Sequence, residues 1–148
     1  MQMQKSRSET KLNILRIAAA VLALPLVSLL VFSSAPVSAQ GRTPLCDGQP
    51  ATIVHIGYDS AIFGTSGDDV IVVQGGWNHI HAGNGSDTIC VVGHFNVLQG
   101  DAGDDTILVD GIHNTLSGDD GDDTLQADDG NTILRCGDGN NRCNGDDC

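Results

Sequence analysis

Residues 100–125 read "GDAGDDTILVDGIHNTLSGDDGDDTL". Eight aspartates crowd this stretch, yet Ile107, Val109, Leu116 and Leu125 recur among them as if building a core. A disordered acidic segment would favour Glu, Lys, Pro and Ser. Here the chain repeats itself instead: "GDAGDDTIL" (100–108) lies over "GDDGDDTLQ" (118–126) after a shift of 18 residues. Working outward, "GTSGDDVIV" (64–72) and "AGNGSDTIC" (82–90) join the same register without a gap. Gly67, Gly85, Gly103 and Gly121 fall in one column, Asp69, Asp87, Asp105 and Asp123 in a second with Asn141 next in line, and Ile71, Ile89, Ile107 and Leu125 in a third.

The segments between carry another pattern. "VQGGWNHIH" (73–81), "VVGHFNVLQ" (91–99) and "VDGIHNTLS" (109–117) share Gly75, Gly93 and Gly111, then Asn78, Asn96 and Asn114, then Ile80, Leu98 and Leu116. Two interleaved patterns held in phase describe stacked, identical supersecondary units, none of which can bury its apolar face alone. Gly and Asp permit tight turning and positive φ. The short aliphatic runs that follow, such as "TILV" at 106–109, alternate faces as strands do. The expected fold is all-β: a parallel β-roll, or β-solenoid, with 18-residue coils and two thin sheets. One sheet buries Ile71/Val73, Ile89/Val91, Ile107/Val109 and Leu125/Ala127; the other buries Ile80/Ala82, Leu98/Gly100 and Leu116/Gly118.

Stacking at about 4.8 Å turns each column into a ladder. Bare carboxylates at that spacing repel by about 1 kcal/mol in water, and by more in a packed turn. A hard divalent cation between successive turns would collect carboxylate and backbone carbonyl oxygens, the donor set of a calcium site. The expected metal ligands are Asp69, Asp87, Asp105 and Asp123 with the turn glycines Gly67, Gly85, Gly103 and Gly121. Asn141, Asp119 and Asp101 are weaker candidates.

These units resemble the RTX, or hemolysin-type, calcium-binding repeat Gly-Gly-x-Gly-x-Asp-x-U-x, with U aliphatic. Gly100, Gly103, Asp105 and Ile107 match it, as do Gly118, Gly121, Asp123 and Leu125, and Gly64, Gly67, Asp69 and Ile71; Gly83, Gly85, Asp87 and Ile89 follow with Ala82 in the first slot. The resemblance implies calcium held in the turns between adjacent coils. Every second unit departs from the pattern, with Asn78, Asn96 and Asn114 in the ligand position, so that edge is expected to carry a neutral ladder and the metal to lie along the other.

The remaining features bound the function. Residues 1–39 carry a basic start (Lys5, Arg7, Lys11, Arg16), an apolar stretch from Ile17 to Phe32 and small residues before Gln40, as a secretory signal peptide does. The rest holds three basic and eighteen acidic residues, every acid an Asp, for a charge of −15. Nucleic acid and anionic membranes are poor partners for such a surface, and cations good ones. Residues 40–54 are expected to cap the repeat of 55–135, and 136–148 to form an incomplete last coil. Among the five cysteines, Cys46 with Cys90 and Cys136 with Cys143 are the expected pairs, one thiol being left over. His79 and His81 are read as surface histidines, and the ladder Thr88, Thr106 and Thr124 reflects β propensity. No nucleophile, zinc-protease or phosphate-loop motif occurs, so no enzymatic role is expected. The expected function is a secreted calcium-binding repeat protein that folds on binding Ca2+, with a structural or sequestering role. The alternative is an extracellular adhesion or recognition module whose aromatic edge (Trp77, Phe95, Tyr58) meets a surface partner.

Overall fold

The computed structural model describes residues 43–128, 131–144 and 146–147. The leader expected at 1–39, and Cys148, lie outside them. Fourteen strands follow in order: β1 (Leu45–Cys46), β2 (Gln49–Pro50), β3 (Ile53–Tyr58), β4 (Ala61–Phe63), β5 (Val70–Gly76), β6 (His79–Asn84), β7 (Thr88–His94), β8 (Val97–Ala102), β9 (Thr106–Asp110), β10 (Thr115–Ser117), β11 (Thr124–Ala127), β12 (Ile133–Arg135), β13 (Arg142–Cys143) and β14 (Asp146–Asp147). Odd strands from β3 to β13 stack parallel, and β14 closes their sheet antiparallel. The even strands β4 to β12 stack parallel in a second, five-stranded sheet. This is the parallel β-roll that the repeat predicts.

The register is the sequence period made physical. Ile71 pairs with Ile89, Ile89 with Ile107 and Ile107 with Leu125 in one sheet; Ile80 pairs with Leu98 and Leu98 with Leu116 in the other. Their side chains, with Val73, Val91, Val109 and Ala82, form one continuous core between the sheets. A one-residue slip would turn each of these strands inside out, so burial alone holds the register.

A second, smaller core lies outside the roll. Val70, Val72, Cys90 and Leu108 face away from the main core and are nonetheless buried, because the β1–β2 hairpin brings Cys46 against them. Cys46 is disulfide-bonded to Cys90, which ties the hairpin to the third coil. Cys136 pairs with Cys143 across the last, incomplete coil. At the hairpin the repeat reads as alternating, half-exposed strands, and an element outside the repeat covers the face that periodicity leaves open.

Candidate metal-binding edge

The roll has two edges where the chain passes between sheets, and their chemistry differs by one atom per coil. On the edge joining odd to even strands, each Asn side chain accepts from the backbone of the coil before it: Asn78 N–H to Asn96 Oδ1 (3.0 Å) and Asn96 N–H to Asn114 Oδ1 (2.9 Å). The Nδ2 groups of Asn78, Asn96 and Asn114 donate to the carbonyls of Gly57, Gly75 and Gly93. Every polar atom of this ladder has a partner, as burial demands.

The edge joining even to odd strands has the same ladder in aspartate. Asp69 N–H donates to Asp87 Oδ1 (2.7 Å), Asp87 N–H to Asp105 Oδ1 (2.8 Å), Asp105 N–H to Asp123 Oδ1 (2.9 Å) and Asp123 N–H to Asn141 Oδ1 (2.7 Å). Where Asn would present a donor, Asp presents a second oxygen. Oδ2 of Asp87, Asp105 and Asp123 is buried and, among the described residues, without a hydrogen-bond partner. Three orphaned carboxylate oxygens in one column are a large unmet demand, since a buried unpaired charge costs several kcal/mol.

Carbonyls converge on the same places. A Cβ built on Gly100 would collide with both Asp105 Oδ2 and the Gly118 carbonyl; one on Gly118 would collide with Asp123 Oδ2 and the Cys136 carbonyl. Each of these glycines therefore lets a carboxylate and a carbonyl oxygen come together against the backbone, where a side chain would keep them apart. In the second coil the equivalent residue is Ala82, fully buried, whose methyl occupies the space the glycines leave. Among the described residues no three His, Cys or acidic side chains converge on one point. An ion on this edge therefore has to draw on backbone oxygens as well, which suits a hard cation such as calcium.

The first coil is different. Asp69 Oδ2 accepts from the Thr65 N–H (2.7 Å) and the Thr65 hydroxyl (2.8 Å), and its Oδ1 from the Thr52 hydroxyl (2.9 Å). Both oxygens are satisfied by protein donors. Burial acts to raise its pKa, but the Thr65 and Thr52 hydrogen bonds outweigh it and hold the carboxyl below the usual value. The other three shift upward. Burial is the main cause at Asp87, with Asp69, Asp68 and Asp101 adding repulsion; at Asp105 burial, Asp87, Asp123 and Asp101 push the value up to about 7; at Asp123 burial acts with Asp104, Asp119 and Asp122.

The other expected ligands divide. Gly85, Gly103 and Gly121 adopt positive φ, and a Cβ on Gly103 would strike the Gly85 carbonyl, so this column lets the coils approach. Gly67, at the head of that column, is more open. Asn141 is satisfied as a neutral group, donating to the Gly137 carbonyl (3.1 Å). Asp101 and Asp119, close enough to the column to repel it, also have partners of their own: Asp101 lies 3.5 Å from His81 Nδ1, and Asp119 accepts from the Ser117 hydroxyl (2.7 Å) and Gln99. His81 also stacks on Phe63. Sequence reasoning missed the companion ladder of Asp68, Asp104 and Asp122, whose Oδ1 atoms accept from the backbones of Ser86, Asp122 and Asn140 in the following coil. It also missed the carbonyls of Gly118 and Cys136; the glycine in the first slot of each nonapeptide is their signal.

Beside the Asn edge, Trp77, Phe95 and His113 share a left-handed backbone (φ near 60°) and stack in a column, with ring centroids 4.4 and 5.0 Å apart. Tyr58 stands nearby at the end of β3, against His94.

Comparison with protein families agrees with this geometry. The family model for the RTX calcium-binding nonapeptide repeat, in four copies, matches residues 57–89, 93–111 and 110–143. Neither a curated protein nor a solved structure matches the chain.

Proposed function

On the premise that this chain belongs to the RTX calcium-binding repeat family, we propose that it is a secreted β-roll that holds Ca2+ along its Asp edge and folds as it binds. The observation that supports this most is the column of buried, unpartnered Oδ2 atoms at Asp87, Asp105 and Asp123. A calcium ion supplies the positive charge these oxygens lack. Asp105 with the Gly118 carbonyl and Asp123 with the Cys136 carbonyl would form the principal sites, with Gly103 and Gly121 shaping their turns. Asp87, beside the Ala82 methyl, makes a smaller one. Asp69 is read as the metal-independent start of the ladder, because Thr65 and Thr52 already do there what an ion does lower down. The role is structural or sequestering rather than catalytic.

Isothermal titration of the protein with calcium tests this directly. Binding should be lost stepwise in Asp105→Ala and Asp123→Ala and remain in Asp69→Ala. Magnesium should bind far more weakly, because carbonyls and carboxylates in a flexible turn do not offer its tight octahedron. Equal affinity for the two ions would sink the reading.

The exposed Trp77–Phe95–His113 stack, with Tyr58, supports a second role as a recognition edge for an extracellular surface component. Trp77→Ala and Phe95→Ala should then abolish capture of that component while leaving the calcium isotherm unchanged.

A further inference from the structure

We infer that the N-terminal end of the roll is a self-association surface, where a second copy of this chain docks head to head and β3 pairs antiparallel with its twofold mate. The two ends of the roll are built differently. At the C-terminal end, β14 covers β13 and the Cys136–Cys143 disulfide closes the last coil. At the other end, β3 and β4 are terminal strands, paired among the described residues only with β5 and β6. The β1–β2 hairpin packs on the outer face of the sheet rather than over this end. Among the described residues no strand pairs with the outer side of either, the feature through which sheets extend.

The side chains that flank these open edges, on the outer faces of the two sheets, are apolar. Val54, Ile56, Tyr58 and Phe63 are 45%, 56%, 64% and 67% exposed. The last layer of the core, Ile53 and Ile62, lies directly behind, and the buried Nε2 of His55 in the same coil has no partner among the described residues. Terminal coils of a solenoid that stand alone carry a polar outer face; this one does not.

Charge selects the occupant. Asp47 and Asp59 are the only acids between residues 43 and 63, against nine between 101 and 128. Two copies meeting at their acid-poor ends keep their acidic halves roughly 30 Å apart at ~4.8 Å per strand, several Debye lengths at physiological salt. A twofold axis perpendicular to the sheets brings β3 against β3 and β4 against β4, each pair antiparallel, so both sheets run on through the interface. The contact is self-complementary, so the twofold closes on two copies.

Sedimentation velocity from micromolar to about 100 µM in saturating calcium tests this, with hydrogen exchange of the β3 amides read on the same samples. The protein should dimerise with concentration. Ile56→Lys and Phe63→Lys should each weaken the dimer at least tenfold with unchanged circular dichroism and calcium stoichiometry, while Ile133→Lys, a matched substitution at the opposite end, should leave it intact. Residues 53–58 should be protected in the dimer and exchange in the monomer. A protein monomeric throughout the range overturns the inference, as does a dimer broken by Ile133→Lys but not by Ile56→Lys. A monomer with protected β3 amides overturns it too, because another segment would then cover the edge.

Discussion

Asp105 concentrates the chemistry of the edge in one side chain. Its Oδ1 serves the coil before it, and its Oδ2 has no hydrogen-bond partner among the described residues. Replacing it with Asn keeps the acceptor and puts a donor where the orphan oxygen stands, as on the opposite edge. Asp105→Asn should therefore stabilise the metal-free roll by about 1–3 kcal/mol, the scale of a buried unsatisfied group, while removing a calcium. Denaturation in chelator together with titration would check both halves. The pH dependence follows from the same atom. Asp87, Asp105 and Asp123 hold protons more tightly in the roll than unfolded, so the metal-free roll is favoured below the unfolded value of 3.8 and loses that advantage as pH rises toward about 7. Asp69 works in the opposite sense, one against three. Calcium competes with those protons, so its affinity should climb with pH up to about 7, and binding at pH 6 should release protons. Titration in buffers of different ionisation enthalpy would measure that release.

At the scale of the element, the two edges are one design with two donor sets. Asn96→Ala removes an acceptor for the Asn78 N–H, a donor to the Gly75 carbonyl and a rung to Asn114. The expected loss is roughly 2–4 kcal/mol, from more than one buried hydrogen bond at about 1–3 each, with calcium stoichiometry unchanged. Thermal melts paired with titration separate this variant from the Asp-edge ones. The strands and both ladders were legible in the sequence because the 18-residue register repeats without a gap, and one phase determines every face. The orphaned oxygens were not, because they depend on which carboxylate oxygen the neighbouring N–H selects. Nor was the closed first rung, where Thr65 stands in a glycine slot and Thr52 precedes the repeat. The hairpin core escaped for the same reason: Leu45–Pro50 belongs to no period, so nothing marked Leu108 as buried outside the roll.

At the scale of the molecule, the proposed calcium sites would share with the disulfides the work of closing the roll. Extracellular calcium modules bind at about 0.1–1 mM, so a site of ~0.1 mM affinity in roughly 1 mM calcium adds about 1.4 kcal/mol. Two or three such sites contribute about 3–4 kcal/mol, comparable to the whole stability of a small domain. Chelation after reduction of Cys46–Cys90 and Cys136–Cys143 should abolish the β signal in circular dichroism and expose the chain to protease, whereas chelation alone should leave the first three coils, clasped by the hairpin, more resistant. Limited proteolysis followed by mass analysis would locate that boundary.

The alternation of Asp and Asn edges also makes the length of this protein a quantised property. A coil can be copied or excised only as a whole, because the joints on either side are indifferent to which coil supplies them. Half a coil would bring asparagine into the aspartate column and send every later strand to the opposite sheet. Such a chain can lengthen by duplicating 18 residues of its gene and never by nine, with each duplication adding one rung to the ladder and one increment to its ion capacity.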